Sequence, residues 1–237
     1  MLDVHPAHHA ASTWRDFFVH IATIVLGLLI AVGLEQTVEA LHRQHERSEI
    51  RESLHSELLQ IENDTEASRV TLAQRNEWIQ ARIAKVQAAV WQHQPLPPPP
   101  PHTGATVLVR PDAPLWRSAK TGGLAPLLSE REVAAYSEIE SLAAKIDVSY
   151  DRMVVAHSKH IAFEHEFPSL NGSPDLSHAS ADDLRKYLSL LTEEQLAIHY
   201  IDLMIAGMHG AESAILQGNF DLKQIQTAEK ESTPASN

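Results

Sequence analysis

Histidines and carboxylates are the side chains here whose type and spacing suit them to chemistry. The chain carries 15 histidines. His157, His160 and Glu164 recur at steps of three and four, so on a helix they share one face. Imidazole nitrogens and a carboxylate so placed are ligands for zinc, nickel or copper. His165 extends the cluster. Two other pairs, Glu39 with His42 and Glu52 with His55, have the Glu-x-x-His spacing of di-iron carboxylate bundles. Such bundles draw that motif from facing helices, whereas both pairs here lie on one helical stretch. For all these groups the plain alternative is a solvated face in a histidine-rich protein. His157, His160 and Glu164 are the candidate metal ligands, and no resident cofactor is expected.

Other chemistries find no support. There is no cysteine, which excludes disulfides, thiolate metal sites and cysteine nucleophiles. No Gly-x-Ser-x-Gly, Ser-x-x-Lys or His-Glu-x-x-His signature is present. No glycine loop follows a strand to cradle phosphate, and Gly122-Gly123 reads as a turn. With 31 acidic against 19 basic residues, the formal charge of -12 argues against nucleic acid as a partner. The expectation is a protein that is not an enzyme.

Helices must position these residues. Apolar side chains recur at Leu34, Val38, Leu41, Ile50, Leu54, Leu58, Ile61, Leu72, Ile79, Ile83, Val86 and Val90, mostly at steps of three and four. Glu35 to Gln94 holds no Gly or Pro, so one helix of up to ~90 Å is expected. His45, Thr65 and Ser68 interrupt its stripe, and Asn63-Asp64 is a candidate bend. Pro95 and the run through Pro101 end it in a stiff spacer. Pro114 to Ala119 reads as a short helix stopped by Gly122-Gly123. Ser129 with Glu132 forms a capping box that opens a helix to about Phe167. Ser180 caps a third long helix, which ends near Gln217. Its patch of Ala206, Gly207, Gly210 and Ala211 predicts close helix contact. An amphipathic helix cannot shield its stripe alone. The simplest closure packs the two later helices antiparallel to the first, in a three- or four-helix bundle.

The remaining strong feature is Phe17 to Leu34, about eighteen residues without a formal charge. As a helix it measures ~27 Å, close to the hydrocarbon core of a bilayer. Trp14, Phe17 and Phe18 supply an interfacial aromatic belt. Thr23, Gly27 and Ala31 lie four apart and let two spans approach closely. The fold class expected is therefore all-α, with an N-terminal transmembrane helix continuous with a long helix, plus a helical-bundle extramembrane domain. The organisation reads as a tail over 1–16, a span over 17–34, an amphipathic helix over 35–94, a Pro-rich linker over 95–114, a bundle over 115–218, and a C-terminal tail over 219–237 that is disordered from about 227. Orientation stays open, because Arg15 lies on one side and Arg43, Arg47 and Arg51 on the other.

The run His20 to Ala31, leading into Gly33-Leu34-Glu35-Gln36, resembles a bacterial single-span family known as a domain of unknown function. Trp116-Arg117-Ser118-Ala119-Lys120-Thr121-Gly122-Gly123-Leu124, followed by a helix with Tyr136, matches the W…TG-L segment of that family. The resemblance covers roughly residues 17–65 and 115–150. It implies an inner-membrane protein with a helical domain on the periplasmic side, and brings no catalytic residues. Three functions are expected in order. The first is an interaction or scaffolding role, as a homo-oligomer in the lipid bilayer with a protein partner of unknown identity. The second is a sensor-like bundle binding a small ligand, and the third a metal-binding protein or metalloenzyme.

Overall fold

The computed structural model describes residues 14–99, 108–168 and 174–233. Among them the chain is all-helical, and its only ladder contact is an isolated bridge between Pro168 and Pro174. Contacts divide the chain into residues 1–50 and 51–237, each described by itself.

The first unit holds the start of α1, which spans Trp14–Gln92. Thr13, which with Asp16 has the Thr-x-x-Asp spacing of a capping box, lies outside the described residues. Gly27 and Gly33 do not interrupt the helix. Thr23 and Thr37 donate their hydroxyls back to the carbonyls of Val19 and Gly33, each at 2.8 Å. Every side chain from Trp14 to His45 is exposed. Among the described residues α1 alone is long and apolar enough to cross a membrane, by length and composition.

In the second unit α1 continues through Asn63-Asp64 without a break. Leu54, Leu58, Ile61, Leu72, Ile79, Val86 and Val90 are buried as the periodicity requires. Of the three interruptions of the stripe, Thr65 and Ser68 belong to it, whereas His45 is exposed. Thr65 and Ser68 are buried, with Thr65 Oγ1 donating to Ile61 O at 2.9 Å and Ser68 Oγ to Val109 O at 3.0 Å. Arg75 and Arg82 fill the next places, whereas Ile83 sits only half-buried beside the stripe. His93 in a left-handed conformation (φ 55°) closes the helix, and Gln94 N reaches back to Ala88 O.

The described parts of the linker lie beside α1 in reverse order. Arg82 Nη1 donates to Pro97 O at 2.7 Å, Ser68 holds Val109, and Glu57 accepts from the Leu115 and Trp116 amides. Glu57 thereby caps α2, Pro114–Thr121, whose own N-cap residue Ala113 offers no side-chain acceptor. Trp116 buries beneath α2 against Tyr136, with ring centroids 5.7 Å apart.

The Ser129–Glu132 capping box opens α3, Glu130–Glu164, and a Ser180–Asp183 box opens α4, Ala181–Leu216. Arg51 of α1 meets Glu132 at the start of α3, and Arg75 meets His157 and His160 near its end. α3 is thus parallel to α1, not antiparallel as the simplest closure had it. The returning linker is the reason, because it delivers the chain to the start of the stripe before α3 begins. α4 does run antiparallel: Arg69 meets Asp202, Arg75 meets Glu194 and Arg82 meets Tyr187.

The expectation of a tail after Gly218 fails at α5, Leu222–Ser232, which Asp221 caps through the amides of Lys223 and Gln224. Ile225 is fully buried. α5 lies on the small-residue patch of α4, where a Cβ on Gly210 would stand 2.3 Å from Ala228 O. The patch does make the close contact its composition predicts, but with an element the periodicity did not reveal.

Candidate functional site

Polar side chains from three helices meet inside the bundle. The stripe register brings Arg75 inward from α1. His157 and His160 project from the face of α3 opposite, and Glu194 from the buried face of α4. Glu194 is 1% exposed and His160 is fully buried, while Arg75 and His157 keep an edge in solvent. Arg75 Nε donates to Glu194 Oε1 at 2.9 Å, and Nη2 donates to Oε2 at 3.3 Å. The same Nη2 lies 2.9 Å from His157 Nδ1 and 3.3 Å from His160 Nε2. His160 Nδ1 is 2.5 Å from Glu194 Oε2. A hydrogen on that Nδ1 lets Nε2 accept from Arg75. Trp78 closes the centre, with the guanidinium 4.6 Å above its ring and the His160 ring stacked on it.

Electrostatics follow from this geometry. Burial alone would raise the Glu194 carboxyl, but donors from His157, His160 and Arg75 outweigh it and hold it far below the usual carboxylate range. One guanidinium and one carboxylate leave the centre neutral when both imidazoles are neutral.

Of the three candidate metal ligands, the structure brings together His157 and His160 but not Glu164. Glu164 instead meets Tyr187, whose hydroxyl donates to it in a short hydrogen bond. Tyr187 also accepts from Arg82 Nε at 3.2 Å. Burial first, and then the Glu164 carboxylate, push the Tyr187 hydroxyl up from its ordinary range. The carboxylate that joins the histidines is Glu194, and the ligand atoms of His157, His160 and Glu194 lie within 4.8 Å of one another. That spacing suits a divalent ion. Arg75 Nη2 stands among the same three groups, however, so any ion must displace an internal cation.

The remaining candidates stay apart. Glu39 pairs with Arg43 at 3.5 Å and His42 with Glu46 at 3.2 Å, all on the surface of α1. Glu52 and His55 are exposed and His165 caps the end of α3. Thr23, Gly27 and Ala31 lie on the exposed part of α1, and open space surrounds the Gly27 Cα.

Sequence reasoning missed Arg75, Arg82 and Glu194. The signal for the arginines was present. From Leu54, steps of four and three lead through Leu58, Ile61, Thr65, Ser68, Leu72, Arg75, Ile79, Arg82 and Val86. A charged residue in that register must be buried and needs a partner. A second ionisable group escaped notice as well. Glu212 is fully buried on α4, its Oε2 3.3 Å from His209 Nδ1, with Glu62 and Glu66 of α1 nearby. Burial raises the Glu212 carboxyl, and the contact with Glu212 raises His209.

Comparison with protein-family models, with characterised proteins and with solved structures finds no match to the chain.

Proposed function

We propose that the chain is a single-pass membrane-anchored protein whose helical bundle serves interaction or scaffolding, without catalysis, as a homo-oligomer. The exposed apolar run on α1 carries this reading. From Phe17 to Leu34 no side chain is covered by the protein. In water such a surface is a large uncompensated apolar area, whereas hydrocarbon removes it from water at ~25 cal/mol per Å². The buried polar centre fits a structural part in this scheme, because Arg75, His157, His160 and Glu194 meet there and tie α1, α3 and α4 together. The family resemblance adds a bacterial inner membrane, with the bundle on the periplasmic side. Expression of the full chain followed by alkaline carbonate washing tests the anchor: the protein stays in the membrane pellet, and recovery in the wash defeats the reading. A reporter fused at the C-terminus decides the side.

The cluster of His157, His160 and Glu194 supports a second reading, a metal-binding protein. Substituting His157 and His160 together by alanine then abolishes a measured zinc stoichiometry. Arg75→Met raises zinc affinity, since it removes the competing cation. Purified protein that takes up no zinc in either form eliminates this reading.

A further inference from the structure

The anchored helix carries a second pattern beyond the apolar run. At 100° per residue, Thr23, Gly27, Ala31, Leu34, Val38 and Leu41 fall within about 80° of arc. The small residues of the run and the apolar residues after it thus form one continuous face. Leu34, Val38 and Leu41 are 65%, 59% and 62% exposed. Val38 and Leu41 lie ~6 and ~10 Å past the last residue of the run, among charged neighbours.

Those charges avoid the face. Glu35, Glu39, Arg43, Glu46 and Arg47 all lie outside its arc. Several are engaged along their own helix, Glu39 with Arg43 at 3.5 Å and Glu46 with His42 at 3.2 Å. The face also has heptad order. Ile24, Ala31 and Val38 repeat every seven residues, and so do Gly27, Leu34 and Leu41, three residues later. Written as a coiled coil, the first set occupies position a and the second position d. Val38 with Leu41 is the pair that has a β-branched residue at a and leucine at d, the combination that favours two parallel strands, while Ile24 with Gly27 and Ala31 with Leu34 each match it at one position only.

We propose that this face, Gly27 through Leu41, is the docking surface for α1 of a second copy, in a parallel, in-register pair. The inference rests on the membrane-anchor reading, which orients all copies alike and gives them the same depth. In that register Thr37 of one copy flanks His42 of the other, and Gln44 flanks Glu49, so no like charges oppose one another. Gly27 leaves room for close approach inside the hydrocarbon, because nothing lies within 4 Å of a Cβ built there. His45 takes the next a position but pairs with Glu49 at 3.2 Å, which ends the apolar seam.

The chain has no cysteine, so single cysteines report proximity without background. Val38→Cys, Leu41→Cys, Glu39→Cys and Arg43→Cys are made in the full chain and oxidised in carbonate-washed membranes. Surface positions on a solvated helix keep the fold intact. The expected result is a disulfide-linked dimer at Val38 and Leu41 and its loss at Glu39 and Arg43, unchanged when the membranes are fused with excess lipid. Val155→Cys and Leu196→Cys, on exposed faces of the bundle, serve as controls. The pairing is overturned if protein retained in the membrane shows no dimer at Val38 and Leu41, equal dimer at all four positions, dimer only at the bundle controls, or cross-linking only to a different protein. Release of the protein by the carbonate wash overturns the anchor reading instead, and is scored before cross-linking.

Discussion

Arg75 is the residue on which the buried centre depends. Without its guanidinium, Glu194 keeps only imidazole donors in a site almost closed to water. Breaking a buried pair by removing one member costs about 3–5 kcal/mol, because the other charge stays behind. Arg75→Met is therefore expected to lower the unfolding free energy by about 3 kcal/mol, read from urea denaturation. Adding Glu194→Leu restores part of the loss, because the carboxylate that Arg75 neutralised is gone, while the buried His160 then loses its contacts with both groups. The carboxylates and His209 together set a pH profile. Burial works to raise Glu132, but Arg51 and Ser129 bring it down from 4.5 to about 2, and Glu194 is lowered too. Depressed carboxylates stabilise the fold above their unfolded pKa, and that stability is lost as pH falls through the folded value. Glu212 and His209 are shifted upward from 4.5 and 6.5. Raised groups contribute below their unfolded pKa, and that contribution disappears as pH rises through the folded value. Stability is thus expected to peak near pH 5–6 and fall on both sides in chemical denaturation across pH 2–9. Glu212→Gln should flatten the alkaline side and leave the acid side unchanged. At this scale the sequence was half legible. The spacing of His157 and His160 placed them on one face, but the same spacing offered Glu164, which belongs to Tyr187. No local pattern could show that the carboxylate meeting the histidines comes from α4.

Among the elements, the capping boxes at Ser129 and Ser180 and the breaks at Pro95 and Gly122-Gly123 were readable, because each acts within a few residues of itself. α5 was not. Its eleven residues carry few apolar groups, and a helix this short is marginal alone. It forms because Ile225 buries and because Gly207 and Gly210 allow its backbone onto α4. The two glycines differ in tolerance. A Cβ at Gly210 meets the Ala228 backbone, whereas at Gly207 it meets the flexible Glu229 side chain at 3.1 Å. Gly210→Ala should destabilise by about 1–3 kcal/mol through overpacking, and Gly207→Ala by less. Hydrogen exchange should place the Gly210→Ala effect in the α5 amides. The direction of α3 was also out of reach, because a proline-rich spacer of this length permits either an immediate reversal or a return to the start of the stripe. Contacts from Ser68 and Arg82 to the linker backbone select the return.

At the scale of the whole molecule, residues 51–237 hold their own core and polar network. A truncated chain beginning near Gln44 should therefore stay in the supernatant without detergent and unfold in one cooperative step by circular dichroism, while the full chain needs detergent. Aggregation of the truncated chain would show that the bundle depends on the first unit. The sequence by itself determined that the protein is helical, where its long helices start, and that one segment is apolar on all sides. Each of these follows from the 3.6-residue period or from a cap that acts within one turn. Only the tertiary structure decided that α3 runs parallel to α1, that Glu194 rather than Glu164 meets the histidines, and that the chain after Gly218 folds back as α5. Those outcomes depend on which distant surfaces meet, and the energy of such a contact belongs to the pair, not to either stretch of chain alone.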